Sequence, residues 1–175
     1  MKLKIFLFGL LCSLFSLVSC GNDDDNWWDD GSRDVTFVKV NAQKANVGDI
    51  IHVDTYFETS ISAGYPKDLE LVIRLDPELQ YMNGSSTLYI EGNGHRRSPD
   101  YIRTCDDGVV YLWYSLDNDD DLRYYTGDKK FNMRFNVVAT AKADMAKVQA
   151  QANKNANYSC HEEFIFEEED AVIIK

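Results

Sequence analysis

The spacing of apolar positions divides the chain near residue 35. Ahead of that point, one continuous apolar run over residues 5–18 gives way to a polar, acidic stretch. Beyond it, short apolar runs recur with a period near two, the spacing of strands with one buried face. Val35, Phe37 and Lys39 alternate with Thr36, Val38 and Val40, and Ile51, Val53, Thr55 and Phe57 share a second face. Leu69, Leu71, Ile73 and Leu75 alternate with Glu70, Val72 and Arg74, the pattern of a half-buried strand. Further strands are predicted over 79–82, 87–90 and 109–116 around Trp113, and over 131–141, the longest alternation in the chain. Residues 145–156 fit two periods, since Val148, Ala150 and Ala152 have strand spacing while Met145, Val148 and Ala152 have helical spacing. Strand is predicted again over 164–166 and 171–174. Turn residues at Asn46-Val47-Gly48-Asp49, Asp76-Pro77-Glu78, Asn83-Gly84, Gly92-Asn93-Gly94 and Asp106-Asp107-Gly108 separate these runs. Eight or nine short strands without βα alternation predict an all-β antiparallel sandwich.

The apolar run at 5–18 is too short to span a bilayer, which takes roughly 20 residues. It follows Lys2 and Lys4 and ends in Leu17-Val18-Ser19-Cys20, an arrangement that resembles a bacterial lipoprotein signal. The resemblance implies cleavage before Cys20 and acylation of that cysteine, and two or more acyl chains give stable anchoring where one does not. Gly21 follows Cys20, and then Asp23-Asp24-Asp25, Trp27-Trp28 and Asp29-Asp30. An acidic cluster at this position resembles the surface-export signal of Bacteroidetes lipoproteins; a solvated tether has the same composition. The expected organisation is a signal peptide over 1–19, a lipidated acidic tether over 20–34 and one β-sandwich domain over 35–175, with the protein held at the outer membrane and facing the cell surface. An ordinary secretory signal and an uncleaved anchor are the alternatives.

The net charge of −11 argues against nucleic-acid partners and against electrostatic binding to anionic lipid. Aromatic residues make up 13% of the chain, ten of them Tyr and nine Phe, which suits strands. Of four cysteines, Cys12 leaves with the signal and Cys20 is the lipidation site, so Cys105 and Cys160 remain. In an exported protein this pair is expected to form one disulfide, with two separate buried thiols as the alternative.

One ordered series of motifs extends over most of the domain: Val47-Gly48-Asp49-Ile50-Ile51-His52-Val53, the strand at 69–75, Asp76-Pro77-Glu78-Leu79-Gln80-Tyr81-Met82-Asn83-Gly84-Ser85, Tyr111-Leu112-Trp113-Tyr114, and the alternating strand at 131–141. The series resembles the DUF11-type, or conserved-repeat, immunoglobulin-like domain of bacterial surface proteins. The cohesin-like sandwich shares the Val-Gly-Asp and Asp-Pro parts of it. The resemblance implies an immunoglobulin-like sandwich with Gly48 in a tight turn and Trp113 in the core, serving as an adhesion, spacer or assembly module and not as an enzyme.

Asp117, Asp119 and Asp121 place oxygen donors at alternate positions, a spacing that could hold Ca²⁺. Leu122 and Asp128 stand where an EF-hand loop needs Gly and Glu, so that motif fails, and a solvated acidic loop is the plainer reading. His52, His95 and His161 are scattered, with no His-Glu-x-x-His spacing, no Gly-x-Ser-x-Gly elbow and no phosphate loop. Gly94-His95-Arg96-Arg97 is a basic cluster in an acidic chain, suited to an acidic glycan or partner or to balancing local charge. Tyr89, Tyr101, Tyr111, Tyr114, Tyr124 and Tyr125 could stack on sugars or serve as core and cross-strand pairs. The functional expectation is a surface-exposed lipoprotein carrying a non-catalytic adhesion or envelope-assembly module with a protein or glycan partner; the alternative is a glycan-binding lipoprotein of a polysaccharide-uptake system.

Overall fold

The computed structural model describes residues 34–61, 69–116, 127–153, 160, 166 and 168–175. The described residues form twelve strands and no helix. They are β1 (Asp34–Val40), β2 (Lys44–Ala45), β3 (Ile50–Ile61), β4 (Glu70–Leu75), β5 (Leu79–Tyr81), β6 (Thr87–Ile90), β7 (Asn93–Arg96), β8 (Tyr101–Thr104), β9 (Val110–Ser115), β10 (Gly127–Ala139), β11 (Ala143–Asn153) and β12 (Glu168–Ile174). One sheet, here sheet A, runs β1-β3-β10-β6-β7, with β5 also on β10. Sheet B runs β2-β12-β11-β4-β9-β8. Every pairing is antiparallel except the two-residue parallel contact of β12 with β2. The two sheets share one core, and the architecture is an immunoglobulin-like β-sandwich.

The inner faces follow the alternation of the sequence. Ile51, Val53 and Phe57 of β3 meet Phe131, Phe135 and Val137 of β10, and the Phe57 and Phe131 rings stack at 5.0 Å. From sheet B, Leu71, Ile73 and Leu75 of β4 and Leu112 and Tyr114 of β9 face them. Burying each such side chain contributes about 1.5–3 kcal/mol, the main force holding the sheets together.

Several elements depart from the sequence expectation. In β1 the register shifts between Val35 and Phe37, so Val35, Val38 and Val40 turn inward while Phe37 is 41% exposed. The bulge inserts one residue and breaks the period of two. Gly94 belongs to β7 and not to a turn; the turn is Glu91-Gly92. The ambiguous 145–156 segment is strand to Asn153, because β4 and β12 pair with it on both sides. The short strands β2, β7 and β8 bring the number to twelve, where eight or nine were predicted. Gly48 sits where the motif places it, at φ +95°, in a turn where the Asp49 carboxylate accepts from the Asn46 backbone N–H at 2.7 Å.

A hydroxyl chain ties the sheets across the core. Tyr81 Oη lies 2.8 Å from Ser86 Oγ, which lies 2.7 Å from Tyr114 Oη. Burial pushes the Tyr114 hydroxyl well above its ordinary pKa of 10.0, with the Ser86 hydrogen bond opposing in part. The folded chain therefore keeps this proton more tightly than the unfolded chain does. The resulting stability is complete below the unfolded pKa and is lost as pH rises through the higher folded value. Tyr114→Phe is expected to lower stability by about 1 kcal/mol at neutral pH. It should also flatten the loss of stability above pH 10. Denaturant unfolding across that pH range measures both, and an unchanged alkaline slope would contradict the assignment.

Candidate functional site

The outward faces of the two sheets differ. On sheet B, β4 and β9 carry apolar residues outward as well as inward: Val72, Tyr111 and Trp113 are buried together with Val109. Tyr111 and Tyr101 lie 5.3 and 5.6 Å from the Trp113 ring, and Cys105 and Phe166 pack against the cluster. Cys105 and Cys160 are joined by a disulfide with their Cα atoms 5.8 Å apart. Two residues of the β11–β12 connection, Cys160 and Phe166, are thus held near the outward face of β9. A polar network crosses β4, β11 and β12 on the same face. Arg74 bonds Asp76 at 2.6 Å and Gln149 at 2.8 Å, and Glu169 accepts from Gln149 and Lys147 at 2.7 and 2.8 Å. The Lys147 hydrogen bond is the largest cause holding the Glu169 carboxyl below its ordinary pKa.

Sheet A's outward face carries a different arrangement. Register aligns one outward residue from each of five strands into a row: Phe37, Tyr56, Asn132, Tyr89 and Gly94. A second row beside it holds Lys39, Asp54, Arg134, Thr87 and Arg96. At the spacing of neighbouring strands each row is about 19 Å long. The Phe37 and Tyr56 rings stack at 4.1 Å. Arg134 Nε donates to Asp54 Oδ1 at 2.6 Å, and its guanidinium lies 4.6 Å from the Tyr89 ring centre. The Tyr56 hydroxyl first, and Asp54 after it, hold the Arg134 pKa above the usual arginine value. Asn132 Nδ2 also donates to Asp54, at 3.0 Å, whereas its buried Oδ1 has no hydrogen-bond partner among the described residues. Glycine at 94 is what lets Tyr89 lie down at the end of its row, since a Cβ there would stand 2.9 Å from Tyr89 Cε1. His52 Nδ1 and Asn136 Oδ1, 2.6 Å apart, continue the polar surface.

The residues singled out from the sequence scatter across the structure. Cys20, Asp23, Asp24, Asp25, Asp117, Asp119, Asp121, His161, Tyr124 and Tyr125 lie outside the described residues. Within the basic cluster, Arg96 reaches outward and donates to the Gly84 carbonyl at 3.2 Å. Arg97 instead pairs with Asp100 at 3.2 Å and donates to the Ser115 carbonyl, joining the β7–β8 connection to β9. Asp107 closes its hairpin by accepting from the Val109 N–H at 3.1 Å. Tyr114 is core and Tyr111 packs on Trp113, which leaves Tyr89 as the outward tyrosine of sheet A among the candidates. Among the described residues, no three His, Cys, Asp or Glu side chains cluster as a metal site. Sequence reading missed Tyr56, Asp54, Asn132 and Arg134. All four occupy outward positions of the predicted strands, but only the register brings them side by side.

No family model matches the chain, and no curated protein matches it. Solved structures do. Domains D2 and D3 of the major pilin SpaD from Corynebacterium diphtheriae superpose with a TM-score of 0.53 at 13% identity, over 81% of this chain and 51% of that one. The N-terminal domain of a Streptococcus gordonii adhesin superposes with a TM-score of 0.50 at 11% identity, over 82% of this chain and 32% of that one. This chain spans 19% of the full-length RrgB pilus protein from Streptococcus pneumoniae, with a TM-score of 0.45 at 10% identity. What these proteins share with the present chain is its fold.

Closing a loop with a sequence separation of 55 removes denatured-state entropy worth about 4 kcal/mol in the chain-entropy model. Replacing Cys105 and Cys160 together by Ser is expected to lower the unfolding free energy by roughly that amount in urea titrations. A double variant as stable as the parent would show that the bond constrains neither state.

Proposed function

We propose that this chain is a lipid-anchored surface protein whose sandwich serves as a non-catalytic adhesion or envelope-assembly module. The observation that carries the reading is an immunoglobulin-like sandwich that follows, in the sequence, an acidic stretch and the lipoprotein-type Leu17-Val18-Ser19-Cys20. In this reading residues 1–19 are removed, Cys20 carries the acyl chains, and 20–34 is the tether, with Asp23, Asp24 and Asp25 directing export to the surface. The outer membrane is the anchoring surface, and the sandwich belongs with the DUF11-type domains its motifs resemble. The pilin and adhesin domains that share the fold support a role in binding or assembly over one in catalysis.

A second reading, a glycan-binding lipoprotein, is favoured by the aromatic and polar rows across sheet A. Both readings place the domain outside the cell, and both need Cys20.

Protease treatment of intact cells tests the address. The domain is expected to be digested on wild-type cells, to leave the membrane fraction in Cys20→Ala, and to become protected when Asp23, Asp24 and Asp25 are replaced together by Ala. Digestion only after permeabilisation of wild-type cells would place the domain in the periplasm and remove the surface reading.

A further inference from the structure

Among the described strands, the outermost are β1 and β7 in sheet A and β2 and β8 in sheet B. At β1 the Asp170 carboxylate accepts from the Val40 backbone N–H at 2.8 Å, which blunts that edge. β2 is two residues long, and β7 turns the polar Asn93 and His95 to its core side, opposite Ile90 and Leu88. The β8 edge is different. The Cys105 N–H donates to the Val109 carbonyl at 2.8 Å. The alternation of an antiparallel ladder then bonds Arg103 and Tyr101 to β9 and turns the backbone N–H and C=O of Ile102 and Thr104 away from the sheet. No described strand lies beyond them. Ile102 stands opposite Leu112, a core residue, so its side chain is on the core side of the sheet. Leu112 is fully buried, yet Ile102 is 43% exposed. The core therefore ends at an uncovered aliphatic side chain, beside backbone groups that have no strand to pair with.

A strand laid along this edge would satisfy the backbone groups and cover Ile102, and β8 has the sequence to serve as its own partner. A two-fold axis through Ile102 sets that residue against its copy as a hydrogen-bonded pair. The same axis sets Tyr101 of each copy against Arg103 of the other on the outer side, an aromatic–cation pair made twice. Asp100 then falls opposite Thr104. Moving the axis one residue, to Arg103, would set two arginines against each other, so one register is favoured. Charge agrees with self-pairing. Residues 96–116 carry three arginines and three aspartates in a chain of net charge −11, so two copies meet at this strip without the repulsion that their net charge produces elsewhere.

We propose that β8 is a self-association edge, at which two copies of this chain pair their β8 strands antiparallel about Ile102 and join their B sheets into one. The inference goes beyond the surface reading above and does not depend on the lipid anchor. Sedimentation velocity of the full-length chain over a range of concentrations tests it. A monomer–dimer equilibrium is expected, and Ile102→Asp should weaken it at least roughly tenfold, with unchanged circular dichroism. Cysteine cross-linking tests the register. In the full-length chain with Cys12 and Cys20 replaced by Ser, Ile102→Cys is expected to give an oxidised dimer, since a hydrogen-bonded pair holds its Cα atoms about 5.5 Å apart, within disulfide reach. Thr104→Cys, which the register sets opposite Asp100, is not expected to do so. A chain that stays monomeric throughout would leave the edge to a strand of a different protein and overturn the proposal. Association unchanged by Ile102→Asp, as the apolar run at 5–18 would produce, or cross-linking as efficient through Thr104→Cys as through Ile102→Cys, would also overturn it.

Discussion

The pairing of β3 with β10 is the constraint from which both the interior and the exposed face of this sandwich follow. The two strands stay in unbroken register from Gly127 opposite Ile61 to Val138 opposite Ile50. Because side chains alternate along a strand, one register does two jobs. Inward, it sets Phe57 against Phe131 and Val53 against Phe135 in the core; outward, it sets Asp54 against Arg134 and Tyr56 against Asn132. A slip of one residue would turn one strand over, splitting the Asp54–Arg134 pair, burying one of its charges and exposing that strand's phenylalanines, so the packing energy of the core also fixes the geometry of the surface rows.

The two sheets use their outward faces differently, and the sequence difference is small. β4 and β9 add Val72, Tyr111 and Trp113 to the outward side, and that apolar surface is buried with Cys105 and Phe166 where the disulfide brings Cys160 in. β3 and β10 place charged, amide and tyrosine side chains outward instead; Asp54 accepts from Arg134 and from the buried Asn132, and the Arg134 guanidinium lies on the Tyr89 ring.

Much of this fold was legible in the chain. The alternation at 69–75 and 131–141 marks β4 and β10 because a single apolar face dominates each, and the Gly48 and Asn83-Gly84 turns carry their own chemistry. Local pattern fails where pairing decides. The β1 bulge reverses the sides of Phe37 and Val38, β7 and β8 are too short to show a period, and Gly94 reads as a turn residue although Tyr89 is what requires a glycine there. The alanine-rich β11 is strand because β4 and β12 flank it, information that lies more than a dozen residues away. The rows on sheet A were hidden for the same reason: Asp54 and Arg134 are 80 positions apart, and no local spacing connects them.

Interstrand backbone NOEs in the labelled chain test the account most directly. The account predicts contacts running from Gly127 opposite Ile61 to Val138 opposite Ile50, with Phe135 opposite Val53 and Arg134 opposite Asp54. Contacts displaced by one residue, or a break within the pairing, would contradict it.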